Sequence, residues 1–151
     1  MHRLWEPLQL KRRPPTDYAA KFSVPFGVAL GLVRGHADLG DFTLESVNDR
    51  ELLYIAGLVD FEIDPANPYP DTYTGHVRLN YEDGRVEEIE QLFMRGGAQA
   101  PLTREEIDQK FRANVNFGGY EADESDTLLE VCNRISRMQG DYSLIEELAA
   151  K

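Results

Sequence analysis

A chain of 151 residues can bury one core of real size but not two. Its formal net charge of −11 argues against nucleic acid or an anionic membrane as a partner, and a single cysteine, Cys132, excludes an internal disulfide. The densest apolar run, residues 22–33, is too short to span a bilayer and no apolar signal region follows Met1-His2-Arg3-Leu4-Trp5, so a cytoplasmic location is expected.

Residues 1–18 read as irregular, with Lys11-Arg12-Arg13-Pro14-Pro15 as an extended basic linker. A helix is predicted over about 22–34. Ser23 is a good N-cap, Pro25 lies in the first turn where its missing N–H costs nothing, and Gly35 can end the helix. Gly27, Ala29 and Gly31 would let another backbone approach closely. A helix start of this kind, with free backbone N–H groups and Lys21 beside them, can seat a carboxylate or phosphate. The plainer alternative is that Ser23 caps a core helix while Lys21 is solvated, and spacing alone favours it, since caps far outnumber anion sites.

Asn48, with Glu51 three residues on, reads as a capping box for a second helix to about residue 56, with Leu52, Ile55 and Ala56 on one face. Val59, Phe61 and Ile63 alternate with Asp60, Glu62 and Asp64, the period of a half-buried strand. The proline-rich loop 64–70 cannot be a central strand. Val77, Leu79 and Tyr81 alternate again, and Asp83-Gly84 marks a hairpin turn before a strand near 85–93. A helical tail then starts at Thr103, with Glu106 completing a capping box and Leu102 facing Ile107 as a staple; Ile107, Phe111 and Val115 form one apolar stripe. A second tail helix over about 125–138 would bury Leu128, Val131, Cys132 and Ile135, and Ser143 with Glu146 begins a short third one. The fold class is α+β: a small mixed sheet of about three or four strands, one face covered by the helices at 22–34 and 48–56, followed by the C-terminal helices.

Residues able to carry chemistry are sparse. His2, His36 and His76 are far apart and form no metal-ligand spacing. His36 just follows Gly35, where its ring can bond the last helical carbonyls, and His76 opens a strand facing solvent. Cys132 reads as core rather than nucleophile. The carboxylates Glu121, Asp123, Glu124, Asp126 and Glu130 lack the order of a calcium loop and read as a solvated helix start. Gly96-Gly97 has no phosphate-loop context. No metal and no cofactor is expected, and the residues of this chain do not make a self-sufficient active site.

Ala20-Lys21-Phe22-Ser23, then Asp83-Gly84 between two strand-like runs, then the segment from Pro101 through Asn114, occur in the order and spacing of the C-terminal part of the MmgE/PrpD family, which the chain resembles over about residues 7–118. That family includes 2-methylcitrate dehydratase and cis-aconitate decarboxylase. The resemblance implies a lyase acting on small polycarboxylates, by dehydration or decarboxylation. Its members are longer chains with a large helical domain and a smaller α/β lid, and most of their acid–base residues precede the position matching Met1. Residues 1–100 would then be the C-terminal portion of the lid, without its opening strand and helix. Residues 101–151 would be the helical tail that in the family packs on the helical domain.

In many members the position of Phe26 is a tyrosine, which lines the active site in cis-aconitate decarboxylase. Phe26 has no hydroxyl and can shape a pocket without moving a proton. Lys21 and Ser23 do match the family pattern. Lys21, Ser23 and Phe26 are therefore the candidate substrate-binding residues, and no residue of this chain is a catalytic candidate. Three readings stay open: one subunit of a split lyase whose helical domain is a separate chain, a non-catalytic ligand-binding descendant, or a homo-oligomeric interaction module. A fourth reading is a fragment of a longer gene product. Alone, it is not expected to turn over substrate.

Overall fold

A computed structural model describes residues 4–135 and 137. Among them are six helices and one hairpin, so the α+β class holds. The helices are α1 (Leu8–Arg12), α2 (Asp17–Ala20), α3 (Val24–Arg34), α4 (Arg50–Leu58), α5 (Arg104–Phe117) and α6 (Ala122–Ile135); the strands are β1 (Gly75–Asn80) and β2 (Val86–Gln91). The chain divides into two compact units, one formed by described residues within 1–61 and 109–151, the other by residues 62–108.

The first unit holds the main core. Phe26, Ala29 and Leu30 on one face of α3 meet Leu52 and Ala56 of α4, with Ala20 and Val47 completing the cluster. That burial drives the pairing, because neither helix is long enough to be stable in water by itself. Helix α3 ends as its sequence demands: Gly35 takes a left-handed conformation at φ 77° and its N–H bonds the Gly31 carbonyl. A Cβ placed on Gly27 or Gly31 would meet nothing within 4 Å, so these glycines serve no close backbone approach. Ala29, in contrast, is buried.

The stretch read as an irregular basic linker contains α1 and α2. Thr16 caps α2, accepting the Ala19 N–H at 3.0 Å. Arg12 is held inside the unit, its Nε donating to the Val59 carbonyl at 2.8 Å and its guanidinium 3.8 Å from Asp60. Helix α4 starts one residue later than the Asn48 capping box implies. Asp49 is the N-cap, accepting the N–H groups of Glu51 and Leu52, while Asn48 ends a 3₁₀ turn and bonds the Leu44 carbonyl at 2.7 Å. Both residues are good caps, so the local pattern could not choose between them.

No strand forms at 59–63. Val59 ends α4, and the Phe61 ring lies 4.9 Å from the Trp5 ring. The alternation there does not mark a buried face: Phe61 meets Trp5, but Ile63 is 80% exposed. The sheet is accordingly two-stranded and antiparallel, with Val77 opposite Ile89 and Arg78 opposite Glu88. Its turn is the expected one. Tyr81 donates to the Arg85 carbonyl, Gly84 donates back to Tyr81, and Gly84 carries φ 86°. This is a three-residue loop with glycine at the left-handed position.

Helix α5 has the predicted capping box: Glu106 donates its N–H to the Thr103 hydroxyl, and its carboxylate accepts the Thr103 N–H at 2.7 Å. The Arg95 guanidinium, and after it the bonds of this box, hold the Glu106 carboxyl down to about 2. Helix α6 starts three residues earlier than expected and buries Ser125 and Leu129. Cys132 is exposed, not core; Leu128, Val131 and Ile135 are half-buried. The expected helix beginning at Ser143, and the end of α6 near residue 138, lie outside the described residues.

One polar cluster ties the end of α3 to the start of α4. Arg34, in the last turn of α3, donates to the buried Asp41 carboxylate at 2.7 Å and to Ser46 at 3.3 Å, and approaches Asp49 at 4.0 Å. Asp41 also accepts the Asp38 N–H at 2.7 Å and lies 2.9 Å from His36 Nδ1. Burial raises the Asp41 carboxyl's affinity for a proton, but the bonds from Arg34, Asp38 and His36 outweigh it, so the group ionises more readily than an ordinary aspartate.

Two expectations follow from these local geometries. Gly35→Ala should destabilise the chain by about 1–2 kcal/mol, the cost of a left-handed alanine, whereas Gly31→Ala should stabilise it by about 0.5–1 kcal/mol; chemical denaturation of both variants checks the opposite signs. Because the folded-state affinity of Asp41 for protons is depressed, its contribution is complete above the ordinary value of 3.8 and is lost as pH falls through its lower folded value. Asp41→Asn should therefore cost about 2 kcal/mol near neutrality, and its melting temperature should converge with that of the parent in acid below that window.

Candidate functional site

The three candidate binding residues fall within six consecutive positions, where α2 turns into α3. The turn is local: Ala20 is fully buried, Lys21 closes α2, and the Ser23 N–H bonds the Ala20 carbonyl at 3.0 Å. Ser23 is the N-cap of α3, as its position before Pro25 foretells. Its hydroxyl accepts the Phe26 N–H at 3.1 Å and donates to the carbonyl of Lys11. The hydroxyl is buried and its hydrogen is committed to that carbonyl.

Lys11, which no pattern in the sequence singled out, binds this turn twice. Its carbonyl receives the Ser23 hydroxyl, and its ammonium donates to the Phe22 carbonyl at 2.6 Å. The start of α3 is thereby fastened to the last turn of α1. The capping also uses most of the helix's free donors. Pro25 has no N–H, Phe26 bonds the Ser23 hydroxyl, and Gly27 bonds the Ser23 carbonyl at 3.0 Å. Val24 is left as the donor that an approaching anion could meet.

Phe26 is enclosed in the core. Its ring is 0% exposed and lies 6.4 Å from the Phe42 ring, inside the cluster shared by α3 and α4. Lys21 is exposed, and so are its neighbours Tyr18 and Phe22, whose rings stand 5.2 Å apart. The turn thus presents a cation flanked by an aromatic pair outward, while Ser23 and Phe26 fix its shape from beneath. Of the three, Lys21 is the side chain that is exposed in this conformation.

His36, Asp38 and Asp41 form the one group of metal-type ligands found among the described residues, their candidate atoms lying within 4.8 Å of one another. The short spacing of residues 36, 38 and 41 is the signal that could have shown it. His36 bonds the Asp41 carboxylate, not the last carbonyls of α3 as its position suggested. Arg34 occupies one Asp41 oxygen, and His36 and the Asp38 N–H occupy the other. Hydrogen bonding with an arginine in place of an ion accounts for the arrangement. His76, at the other end of the chain's chemistry, faces Glu88 across the hairpin at 3.3 Å.

No helix among the described residues is long and apolar enough to cross a membrane. No curated protein matches the chain. The sequence model of the MmgE/PrpD C-terminal domain matches residues 3–134, which include the Lys21 turn, the hairpin, α5 and all but the last residue of α6. A match over so much of the chain shows the family: this chain belongs to the MmgE/PrpD C-terminal domain family.

Proposed function

We propose that the chain is the C-terminal lid portion of an MmgE/PrpD-like lyase, acting with a separate chain that carries the helical domain, on a small polycarboxylate in the cytoplasm. The family match over residues 3–134 carries the reading. In it, residues 1–100 belong to the lid and residues 101–151 form the tail that packs on the helical domain. Dehydration next to a carboxylate needs a base to take the proton, decarboxylation an acid to protonate the carbon that loses CO2, and both need cations to hold the developing charge. The turn at 21–26 can supply such a cation. Lys21 would pair with a substrate carboxylate, Ser23 would hold the helix start in place, and Phe26 would set the turn's depth by its anchorage in the core. The base or acid would come from the partner chain. Exposed apolar side chains on α5, Ile107 and Phe117 among them, support a tail that has more surface to bury.

A second reading has its own support. Phe26 is both without a hydroxyl and wholly buried, which favours a binding or interaction module that keeps the lid fold without chemistry.

Gentle purification from the source cells with native mass measurement separates the two. A stoichiometric chain bearing the helical domain supports the split lyase, and a lone homo-oligomer sinks it in favour of the second reading. Citrate titrated into the intact complex, or into the chain alone if no partner appears, tests the turn itself. Lys21→Ala should weaken binding about fivefold, the ~1 kcal/mol of an exposed charge pair, and an unchanged affinity would remove Lys21 from the site.

A further inference from the structure

The second unit, residues 62–108, contains no buried residue, although every one of its residues is described. A two-stranded hairpin is marginal in water unless further strands or a helix cover it. Here the apolar side chains of β2 stay open, Ile89 at 59% exposed and Val86 at 57%, while Val77 and Leu79 of β1 are half-buried. The register makes the open edge explicit. Tyr81 and Arg85 are a hydrogen-bonded pair, so bonding pairs alternate through Leu79–Glu87 and Val77–Ile89. The backbone groups of Val86, Glu88 and Glu90 therefore point away from β1, toward the outer edge of β2.

The chemistry of that edge specifies what can pair with it. Residues 62–108 carry eleven carboxylates against four arginines. All four arginines are engaged within the unit, Arg78 with Glu88, Arg85 with Asp83, Arg95 with Glu106 and Arg104 with Asp108. Edge-to-edge pairing with a second copy would set β2 glutamates against one another, which disfavours self-association. The two faces of the hairpin also differ. Val77, Leu79 and Ile89 share one face with Glu87, while His76, Arg78, Glu88 and Glu90 share the other with Val86, and there His76 and Arg78 of β1 already bond Glu88.

We propose that the outer edge of β2 is a docking edge for a β-strand of a separate polypeptide, apolar on one face and carrying lysine or arginine on the other. The incoming strand would satisfy the outward backbone groups of Val86, Glu88 and Glu90, extend the Val77–Ile89 face, and set cations against Glu88 and Glu90. This edge shares with the preceding reading only the demand for a second chain. A stoichiometric partner that leaves these three amides fast-exchanging would sink the edge and leave that reading intact.

The test is amide hydrogen exchange of the full chain with a peptide of about eight residues alternating lysine and valine, a strand's usual length. Exchange at Val86, Glu88 and Glu90 should slow about tenfold as these amides become paired, and a glutamate–valine peptide should have no effect. Glu90→Pro should abolish the response while the Leu79 and Ile89 amides stay protected, because the Glu90 N–H is outside the β1 ladder. Three results would overturn the proposal: no slowing, equal slowing by both peptides, or slow exchange at these amides before any peptide is added. In the last case sedimentation would tell cover by a second copy from cover by the chain itself.

Discussion

One serine hydroxyl holds the candidate site and the core in a fixed relation. Ser23 joins the Lys11 carbonyl at the end of α1 to the Phe26 N–H in the first turn of α3. Phe26 is the largest side chain of the main core to be fully enclosed. The same short segment therefore fixes two things: the depth to which α3 sinks against α4, and the height at which Lys21 stands above the surface. An exposed cation gains little from an isolated ion pair. Set on a rigid turn, it gains position, because the backbone beneath it has few alternatives.

Local rules made much of this legible. Ser23 before Pro25, Gly35 after Arg34, Asp83-Gly84 between alternating strands, and Thr103 with Glu106 each state their structure within four residues, and each was found where the sequence places it. What could not be read depended on distant partners. Lys11 reaches Phe22 and Ser23 across 11 and 12 positions, and Arg12 reaches Val59 across 47. A basic run beside two prolines looks like a linker until those acceptors are known. The alternation at 59–63 misleads for the same reason: Phe61 is half-buried against distant Trp5 while Ile63 stays exposed, so no shared buried face lies behind the pattern.

The candidate site was legible as a segment and not as a surface. Sequence placed Lys21, Ser23 and Phe26 together, yet only the structure shows that Phe26 faces inward and that the cap consumes the nearby donors. The cluster around Asp41 shows a related limit. Its residues look like ligands because histidine and aspartate serve metals and hydrogen bonds with the same atoms. Arg34 decides between those uses, and it becomes visible as a partner only when the end of α3 and the start of α4 are brought together.

The division of the chain has a consequence for its history. The first unit is assembled from two stretches of sequence, and residues 62–108 run between them as a continuous insert whose own contacts are short in range. Joining the flanking stretches already bears the entropy of closing that loop. Lengthening it adds little, since each doubling costs only about 0.6 kcal/mol. The hairpin and its proline-rich approach are thus free to grow, shrink or change their edge chemistry without unsettling the α3–α4 core. Among proteins built on this plan, variation in binding partner should concentrate in the insert, and variation in stability in the stretches on either side.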